Sequence, residues 1–198
     1  MNKSTQALII VDVQNDFGPG GALPVPSGDE IVPVLNQYIR YAAGRHWLIV
    51  ASRDWHPEKT HHFREFGGQW PRHCVHDTPG ACFHPQLALP AETVIVSKGM
   101  NPDLDSCSAF HGMDERRTSL QDILVRAGVK IVYVGGLAAE YCVRATVLDA
   151  VERGFAVKLL VDAIRGVNRK PADAEAAQRE MLRYGAQATT VTELSASR

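Results

Sequence analysis

The sequence carries no surplus of charge of either sign. Its 21 Lys and Arg residues balance 22 Asp and Glu residues, which leaves a net charge of −1 over 198 residues. Proteins that bind nucleic acid usually present a basic patch or stripe, and the sequence contains none. We therefore expect a small-molecule partner and no nucleic acid.

Long hydrophobic runs and abundant cysteines are also missing. The apolar run at residues 7–13 is too short to span a bilayer and lacks the small-residue cleavage site of a secretory signal. The four cysteines include no CxxC pair, which argues against a zinc site built from thiolates. We expect reduced thiols, no membrane association and a cytoplasmic location.

Short apolar runs rich in β-branched residues alternate with segments of helical periodicity. Runs that are apolar throughout are typical of strands covered on both faces. This alternation predicts an α/β fold: a doubly wound, mainly parallel six-stranded sheet with helices on both faces, in a single domain over residues 1–198. The predicted strands cover residues 7–13, 47–52, 93–97, 130–135 and 156–162, with a weaker one near 187–191.

The predicted helices carry start and stop signals. Ser27, three residues before Glu30, resembles a capping box at the start of the first helix. Two further helical patterns end before Gly128 and Gly154, and a last helix covers residues 172–184.

Two connections, residues 53–92 and 99–118, are long and rich in His, Pro and Gly. Loops of this length in a compact domain are usually functional. Both begin where a predicted strand ends, and ligands of open parallel sheets bind at the carboxyl ends of the strands. Asp12 lies near the end of the first predicted strand, Lys98 follows the third, and Cys142 comes shortly after the fourth. The sequence therefore predicts one site at this edge of the sheet.

Cys142 follows a glycine-rich turn and lies near the start of a predicted helix. A helix N-terminus favours the thiolate, and its N–H groups can bind an oxyanion. A cysteine is more often a small buried apolar residue, but this position favours a nucleophile.

Asp12 lies within an apolar strand, where a carboxylate is costly unless it is paired. Lys98 is the obvious partner, and the pair is compatible with a structural ion pair or a catalytic one. Cys142 as a third reactive group favours catalysis.

The loop after the second strand predicts a site for a divalent metal. Asp54 and His56 are alternate residues and therefore point to the same side of an extended chain. His61, His62 and His73 follow in the same loop. Carboxylate and imidazole ligands suit zinc, manganese or iron. Several histidines beside an aspartate favour metal ligands over solvated surface residues.

The motifs that carry chemistry resemble a known family. They are DVQNDF at residues 12–17, DWHP at 54–57, WPRHC at 70–74, GACFHP at 80–85, KG at 98–99, DSCSAF at 105–110 and GLAAEYCV at 136–143. In this order and spacing, over residues 7 to about 162, the sequence resembles the nicotinamidases (pyrazinamidases) of the isochorismatase-like superfamily of cysteine hydrolases.

The resemblance implies an amidohydrolase that cleaves nicotinamide, and also pyrazinamide, through a thioester on cysteine. It implies a catalytic triad of Asp12, Lys98 and Cys142. It further implies a cis peptide bond between Leu137 and Ala138, with the N–H groups of Ala138 and Cys142 forming the oxyanion hole.

The resemblance also implies one bound divalent metal ion and a pocket for a flat ring. We expect zinc first, with manganese or iron as alternatives. The expected metal ligands are Asp54, His56, His62 and His73. The residues expected to bind the substrate ring are Phe17, Trp70, Leu137 and Tyr141.

The sequence departs from the family pattern at several positions. Thr60 replaces a histidine that some members have, which leaves His61 and His62 as alternatives for the fourth ligand. Cys107 stands where tyrosine is common.

Three other functions fit parts of the pattern. In a metallohydrolase, a metal-bound hydroxide would attack and Cys142 would be structural. A non-catalytic member of the fold would only bind a pyridine ligand. A third alternative is a cysteine hydrolase that acts on another small carboxamide. Because doubly wound domains often assemble, we also expect a homo-oligomer.

Overall fold

The computed structural model describes residues 4–104 and 106–196. The described strands form one sheet with the order β3-β2-β1-β4-β5-β6, and every neighbouring pair is parallel. None of the described helices is long and apolar enough to cross a membrane. The elements are β1 (Gln6–Val11), α1 (Ile31–Ala43), β2 (Leu48–Asp54), β3 (Val94–Lys98), α2 (Leu120–Ala127), β4 (Ile131–Leu137), α3 (Arg144–Glu152), β5 (Ala156–Arg165), α4 (Asp173–Tyr184), β6 (Gln187–Thr189) and α5 (Val191–Ala196).

Helices cover both faces of the sheet, which confirms the predicted fold class. Successive side chains of a strand point to opposite faces, and in β1 Ile9 packs into the core on one side and Ile10 into the core on the other. The Ile9 side includes residues from α2, α3 and α4, and the Ile10 side includes residues from α1 and α5. Burying each such side chain contributes about 1.5–3 kcal/mol.

The order of the strands sets the position of the site. The chain runs outward from β1 through β2 to β3, then returns to the other side of β1 to form β4. Such a reversal opens a crevice at the carboxyl ends of the central strands. The long segments after β2 and β3 begin at this edge and contain only short 3-10 turns among the described residues.

Several predicted boundaries differ from the structure. The first predicted strand is too long, because β1 ends at Val11 and Asp12 has a left-handed backbone with φ 51°. The second and third predicted strands are too short, because β2 continues to Asp54 and β3 to Lys98. These two polar residues pair with each other in the sheet.

The predicted capping box at Ser27 is wrong. A capping serine needs an extended backbone, but Ser27 has φ 53° and its side chain makes no cap hydrogen bond. A 3-10 turn, Gly28–Glu30, precedes α1 instead. By contrast, the Ser119 side chain caps α2 by accepting from the Asp122 N–H at 3.1 Å.

Gly136 lets β4 approach β1 closely at the edge that carries the site. Its φ of 130° is rarely adopted by L side chains, and a Cβ at this position would lie 2.1 Å from the Val11 carbonyl oxygen. The position therefore requires glycine.

Candidate active site

Three strand ends bring Asp12, Lys98 and Cys142 into contact. The Lys98 Nζ lies 3.0 Å from Asp12 Oδ2 and 3.5 Å from Cys142 Sγ. Ser52 donates a hydrogen bond to the other oxygen of Asp12, at 2.7 Å. Asp12 and Lys98 are buried, so their interactions are little screened by water. The three residues predicted as a triad therefore form one cluster.

The electrostatics of the cluster favour a protonated thiol beside a basic carboxylate. Burial raises the pKa of Asp12, although Lys98 opposes the shift. A hydrogen bond with Cys107, together with burial, raises the pKa of Cys142. Burial alone would lower the pKa of Lys98, but Asp12 and Asp54 outweigh it and hold that pKa well above its ordinary value. Lys98 is therefore a permanent cation between two carboxyl groups.

A second cluster, the histidine cluster, consists of His56, His62 and His73. One ring nitrogen of each lies within 4.8 Å of those of the other two. His56 Nδ1 lies 3.0 Å from the Gly99 carbonyl, and His73 Nδ1 lies 2.7 Å from the Pro71 carbonyl. Because a carbonyl only accepts, Nδ1 carries a proton in both rings, which leaves Nε2 as the nitrogen that can bind a metal.

The histidine cluster fits a metal ion. His56 Nε2 is buried and has no hydrogen-bond partner in the described part of the chain. It lies 3.8 Å from Asp54 Oδ2, too far for a hydrogen bond, and His73 Nε2 lies 3.9 Å from the same oxygen. Burial lowers the pKa of His73 to about 4, so this ring is neutral at neutral pH, as a ligand must be.

Asp54 joins the two clusters. Its Oδ1 accepts a hydrogen bond from Lys98, while its Oδ2 faces His56 and His73. Burial opposes ionisation, but Lys98 and the histidines outweigh it and hold the pKa of Asp54 below its usual range. Asp54 is therefore an anion.

The structure separates the two histidines that the sequence left as alternatives. His62 belongs to the histidine cluster and stacks on His56, with ring centroids 4.7 Å apart. The His61 side chain is 78% exposed and lies 3.7 Å from Asp103. The geometry therefore groups His62, and not His61, with His56 and His73.

Gln14 fixes the end of β2, a role that no local pattern in the sequence marks. Its Nε2 donates to the Asp54 carbonyl at 2.8 Å and to the Ala81 carbonyl at 2.9 Å. Its Oε1 accepts from the Asp54 N–H at 2.8 Å. A single buried amide thus holds the backbone of Asp54 against the loop that contains Ala81.

A cavity opens beside both clusters, and Asp54, His73 and Cys142 are among the residues that line it. The four residues predicted to bind a ring, Phe17, Trp70, Leu137 and Tyr141, all line it, as does Cys142. Trp70 and Tyr141 meet edge to face, with centroids 5.0 Å apart. Three further apolar lining residues come from irregular segments, where no sequence pattern marks a binding role: Leu23, Val25 and Val167.

The backbone beside Cys142 has an unusual course. The Leu137–Ala138 peptide bond is cis, as the resemblance implied. A π-helical turn, Ala139–Val143, carries the cysteine between β4 and α3. Ala138 and Cys142 both line the cavity, so the two residues predicted for the oxyanion hole lie at its wall.

Comparison with known proteins assigns the family. A model described as the isochorismatase domain matches residues 6–193. The chain belongs to the isochorismatase family. Within this family it is 40% identical to the nicotinamidase of Escherichia coli, over 95% of this chain and 96% of the relative. It is 41% identical to the nicotinamidase/pyrazinamidase of Mycobacterium tuberculosis, over 90% of this chain and 94% of the relative.

A solved crystal structure is also closely similar to this chain. The crystal structure of the pyrazinamidase of Pyrococcus horikoshii, in complex with zinc, superposes with a TM-score of 0.88. It is 52% identical and covers 94% of this chain and 99% of its own. The resemblance to nicotinamidases and pyrazinamidases found in the motifs is therefore confirmed.

Proposed function

We propose that the protein is a nicotinamidase, which hydrolyses nicotinamide to nicotinate and ammonia and also accepts pyrazinamide. The observation that carries this proposal is the contact of Lys98 with both Asp12 and Cys142 beside a cavity with apolar and aromatic walls. The relatives named as nicotinamidases and pyrazinamidases support the same substrate class.

The reaction begins with proton transfer from Cys142 to Asp12. Because the pKa of Cys142 is raised, its thiol needs a base to lose its proton. Because the pKa of Asp12 is also raised, its carboxylate is a stronger base than an ordinary aspartate. The thiolate then attacks the carboxamide carbon while Lys98 stabilises the charged partners. The N–H groups of Ala138 and Cys142 bind the oxyanion, and each such donor typically lowers the barrier by about 3 kcal/mol.

The second half of the reaction returns the cysteine to its starting state. Asp12, now protonated, delivers its proton to the departing ammonia. Water then attacks the thioester with Asp12 again as the base, and nicotinate leaves. Buried Asp12 is suited to both roles because its raised pKa favours proton uptake.

Asp54, His56, His62 and His73 would hold one divalent metal ion beside the ring. One carboxylate and three imidazoles suit zinc, with manganese and iron as alternatives. When bound, the ion supplies a Lewis-acidic position for a ring nitrogen and for ordered water. The zinc in the pyrazinamidase of Pyrococcus horikoshii supports zinc as the first choice.

The substrate ring would bind among Phe17, Trp70, Leu137 and Tyr141. These side chains give the cavity apolar and aromatic walls, which suit a flat heteroaromatic ring. The homo-oligomer, the cytoplasmic location and the single domain over residues 1–198 remain predictions.

Ammonia release from nicotinamide tests the proposal. We expect the zinc-loaded protein to release ammonia and Cys142→Ala to lose this activity while its circular dichroism stays unchanged. Exposed Cys82 supplies the matched control, and Cys82→Ala should keep full activity. Mass spectrometry should detect an acyl adduct on Cys142.

The same assay separates the alternative functions. Substantial turnover by Cys142→Ala would indicate attack by a metal-bound hydroxide. Ammonia release from another small carboxamide, with none from nicotinamide or pyrazinamide, would show that the enzyme has a different substrate. If no carboxamide releases ammonia, the protein is a non-catalytic member of the fold that only binds its ligand.

A further inference from the structure

A second thiol, that of Cys107, lies beside the Cys142 thiol. Both side chains line the same cavity, and their interaction lowers the pKa of Cys107 and raises that of Cys142. Cys107 is half-buried, so small solutes that enter the cavity can reach it. The reaction proposed above uses only Cys142, which leaves the neighbouring thiol without a role.

The segment that carries Cys107 is held at the site by Lys98. The Lys98 Nζ donates to the Ser106 carbonyl at 3.2 Å and to Cys142 Sγ at 3.5 Å. One ammonium therefore fixes both the nucleophile and the residue next to Cys107. Cys107 itself belongs to no helix or strand, so a small shift of its backbone would break no ladder.

The other two cysteines lie in different surroundings. Cys74 is fully buried, and burial raises the pKa of its thiol well above the ordinary value. Cys82 is exposed, and its thiol donates to the Thr78 carbonyl at 3.6 Å. Neither residue lines the cavity that contains Cys142. Cys107 is thus the thiol placed to react with Cys142.

We propose that hydroperoxides convert Cys142 and Cys107 into an intramolecular disulfide, which reversibly blocks the nucleophile and makes this pair an oxidation site. The loss of activity rests on the function proposed above, whereas formation of the bond does not.

The chemistry needs only a hydroperoxide, with hydrogen peroxide as the simplest. Asp12 takes the thiol proton of Cys142, and the thiolate attacks one peroxide oxygen. An S–O bond forms, the O–O bond breaks, and the other oxygen leaves as water after Asp12 returns the proton. The Cys107 sulfur then attacks the sulfenic acid. An S–S bond forms, the S–O bond breaks, and the oxygen leaves with the Cys107 proton as a second water. Both sulfurs are oxidised and the peroxide is reduced.

The neighbouring thiol would protect the nucleophile from further oxidation. A sulfenic acid without a resolving thiol is oxidised further to sulfinic acid, which common thiol reductants do not reverse. With Cys107 in place, the oxidised enzyme returns to the dithiol when a reductant is added. The Cys142–Cys107 disulfide would thus inactivate the enzyme reversibly, whereas sulfinic acid on Cys142 would inactivate it irreversibly.

Peptide mapping of the zinc-loaded, full-length protein tests the bond itself. Trypsin cleaves after Lys98, Arg116, Lys130 and Arg144, which separates Cys107 from Cys142. After hydrogen peroxide treatment and blocking of free thiols, we expect a non-reduced digest to contain the peptides 99–116 and 131–144 joined by a disulfide. Absence of this joined peptide, or a cross-link of either peptide to 73–98 instead, would overturn the proposal.

Activity measurements with matched variants test the consequence. Peroxide should abolish most ammonia release by the wild type, and dithiothreitol should restore most of it. Cys107→Ser and Cys107→Ala, each normalised to its own untreated activity, should lose activity without recovery and should carry sulfinic acid on Cys142. Cys82→Ser should behave like the wild type. Equal recovery in the Cys107 variants would contradict the proposed role of Cys107.

The two readouts separate failure of this proposal from failure of the proposed function. If the joined peptide forms but the reduced protein releases no ammonia from nicotinamide, the disulfide is supported and the proposed function is contradicted. If the reduced protein is active but no joined peptide forms, the proposed function is supported and the disulfide is contradicted.

Discussion

Lys98 is the residue on which the charge balance of the site depends. Its side chain is fully buried and contacts the carboxylates of Asp12 and Asp54. Removing one member of a buried ionic group leaves an uncompensated charge and typically costs 3–5 kcal/mol. Here the loss of a single ammonium would leave two neighbouring carboxyl groups without a cation.

We therefore expect Lys98→Met to lower the free energy of unfolding by about 3–5 kcal/mol. Urea denaturation followed by circular dichroism measures the change. Lys59 is exposed and offers a matched control, because Lys59→Met should change stability by less than about 0.5 kcal/mol. Similar losses in both variants would argue against a special role of the buried ammonium.

The pKa of Cys107 gives a prediction about pH. Its hydrogen bond with Cys142 lowers the pKa of the Cys107 thiol to about 7, whereas an ordinary thiol titrates near about 8.5. The thiolate is the reactive form, so alkylation of Cys107 by iodoacetamide should rise steeply through pH 7 and level off above it. Quantitative peptide mapping over a pH series measures this rate.

The Cys142→Ala variant supplies the control for this titration. It removes the hydrogen-bond partner, so the midpoint for Cys107 should move upward. A midpoint near about 8.5 in the wild-type protein, or no shift in the variant, would contradict the coupling of the two thiols.

At the scale of structural elements, Gln14 connects three segments. Its amide ties the segment after β1 to the end of β2 and to the loop at Ala81. Groups that orient metal ligands commonly affect metal affinity by 10–100-fold. The buried backbone groups that Gln14 satisfies would also lose their partners on truncation.

We expect Gln14→Ala to weaken zinc binding by about 10–100-fold and to cost about 1–3 kcal/mol of stability. Competition with a chromophoric chelator measures the affinity. Gln86 is exposed, and Gln86→Ala should leave both quantities unchanged. If zinc affinity in Gln14→Ala equals that of the wild type, the Asp54 carboxylate does not depend on this amide.

The elements also explain how far sequence reasoning reaches. Apolar runs predicted where each strand begins and which layer it joins, because burial on both faces is a local property of sequence. The predicted strand ends at Asp12, Asp54 and Lys98 are wrong. Whether a polar residue at the edge of a sheet continues the strand depends on its hydrogen-bond and charge partners, which lie elsewhere in the chain. Gln14 and the choice between His61 and His62 depend on contacts across the fold, which no local pattern records.

At the scale of the whole molecule, the histidine cluster joins distant parts of the chain. Asp54 ends β2, while His62 and His73 belong to the long segment that follows. A ligand that binds only the folded state stabilises it, by about 4 kcal/mol when its free concentration is 1,000 times the dissociation constant. The predicted metal would therefore stabilise the long segment as well as assist the reaction.

Removal of the metal should accordingly lower the melting temperature by several degrees, and added zinc should restore it. Differential scanning calorimetry with and without a chelator measures the shift. His62→Ala should shrink the shift, whereas His61→Ala should preserve it, because His61 faces solvent. Equal shifts in the two variants would remove His62 from the predicted ligand set.

The contact between β1 and β4 at Gly136 has a consequence for mutational tolerance. A side chain there would collide with the main chain of Val11, and no flexible group can move aside to admit it. At Gly128 the backbone is also left-handed, with φ 77°, but no atom lies within 4 Å. In a saturation library selected for ammonia release, position 136 should return glycine alone, while position 128 should also admit asparagine. Recovery of alanine at position 136 among active clones would mean that the two strands can separate at their ends without loss of the reaction.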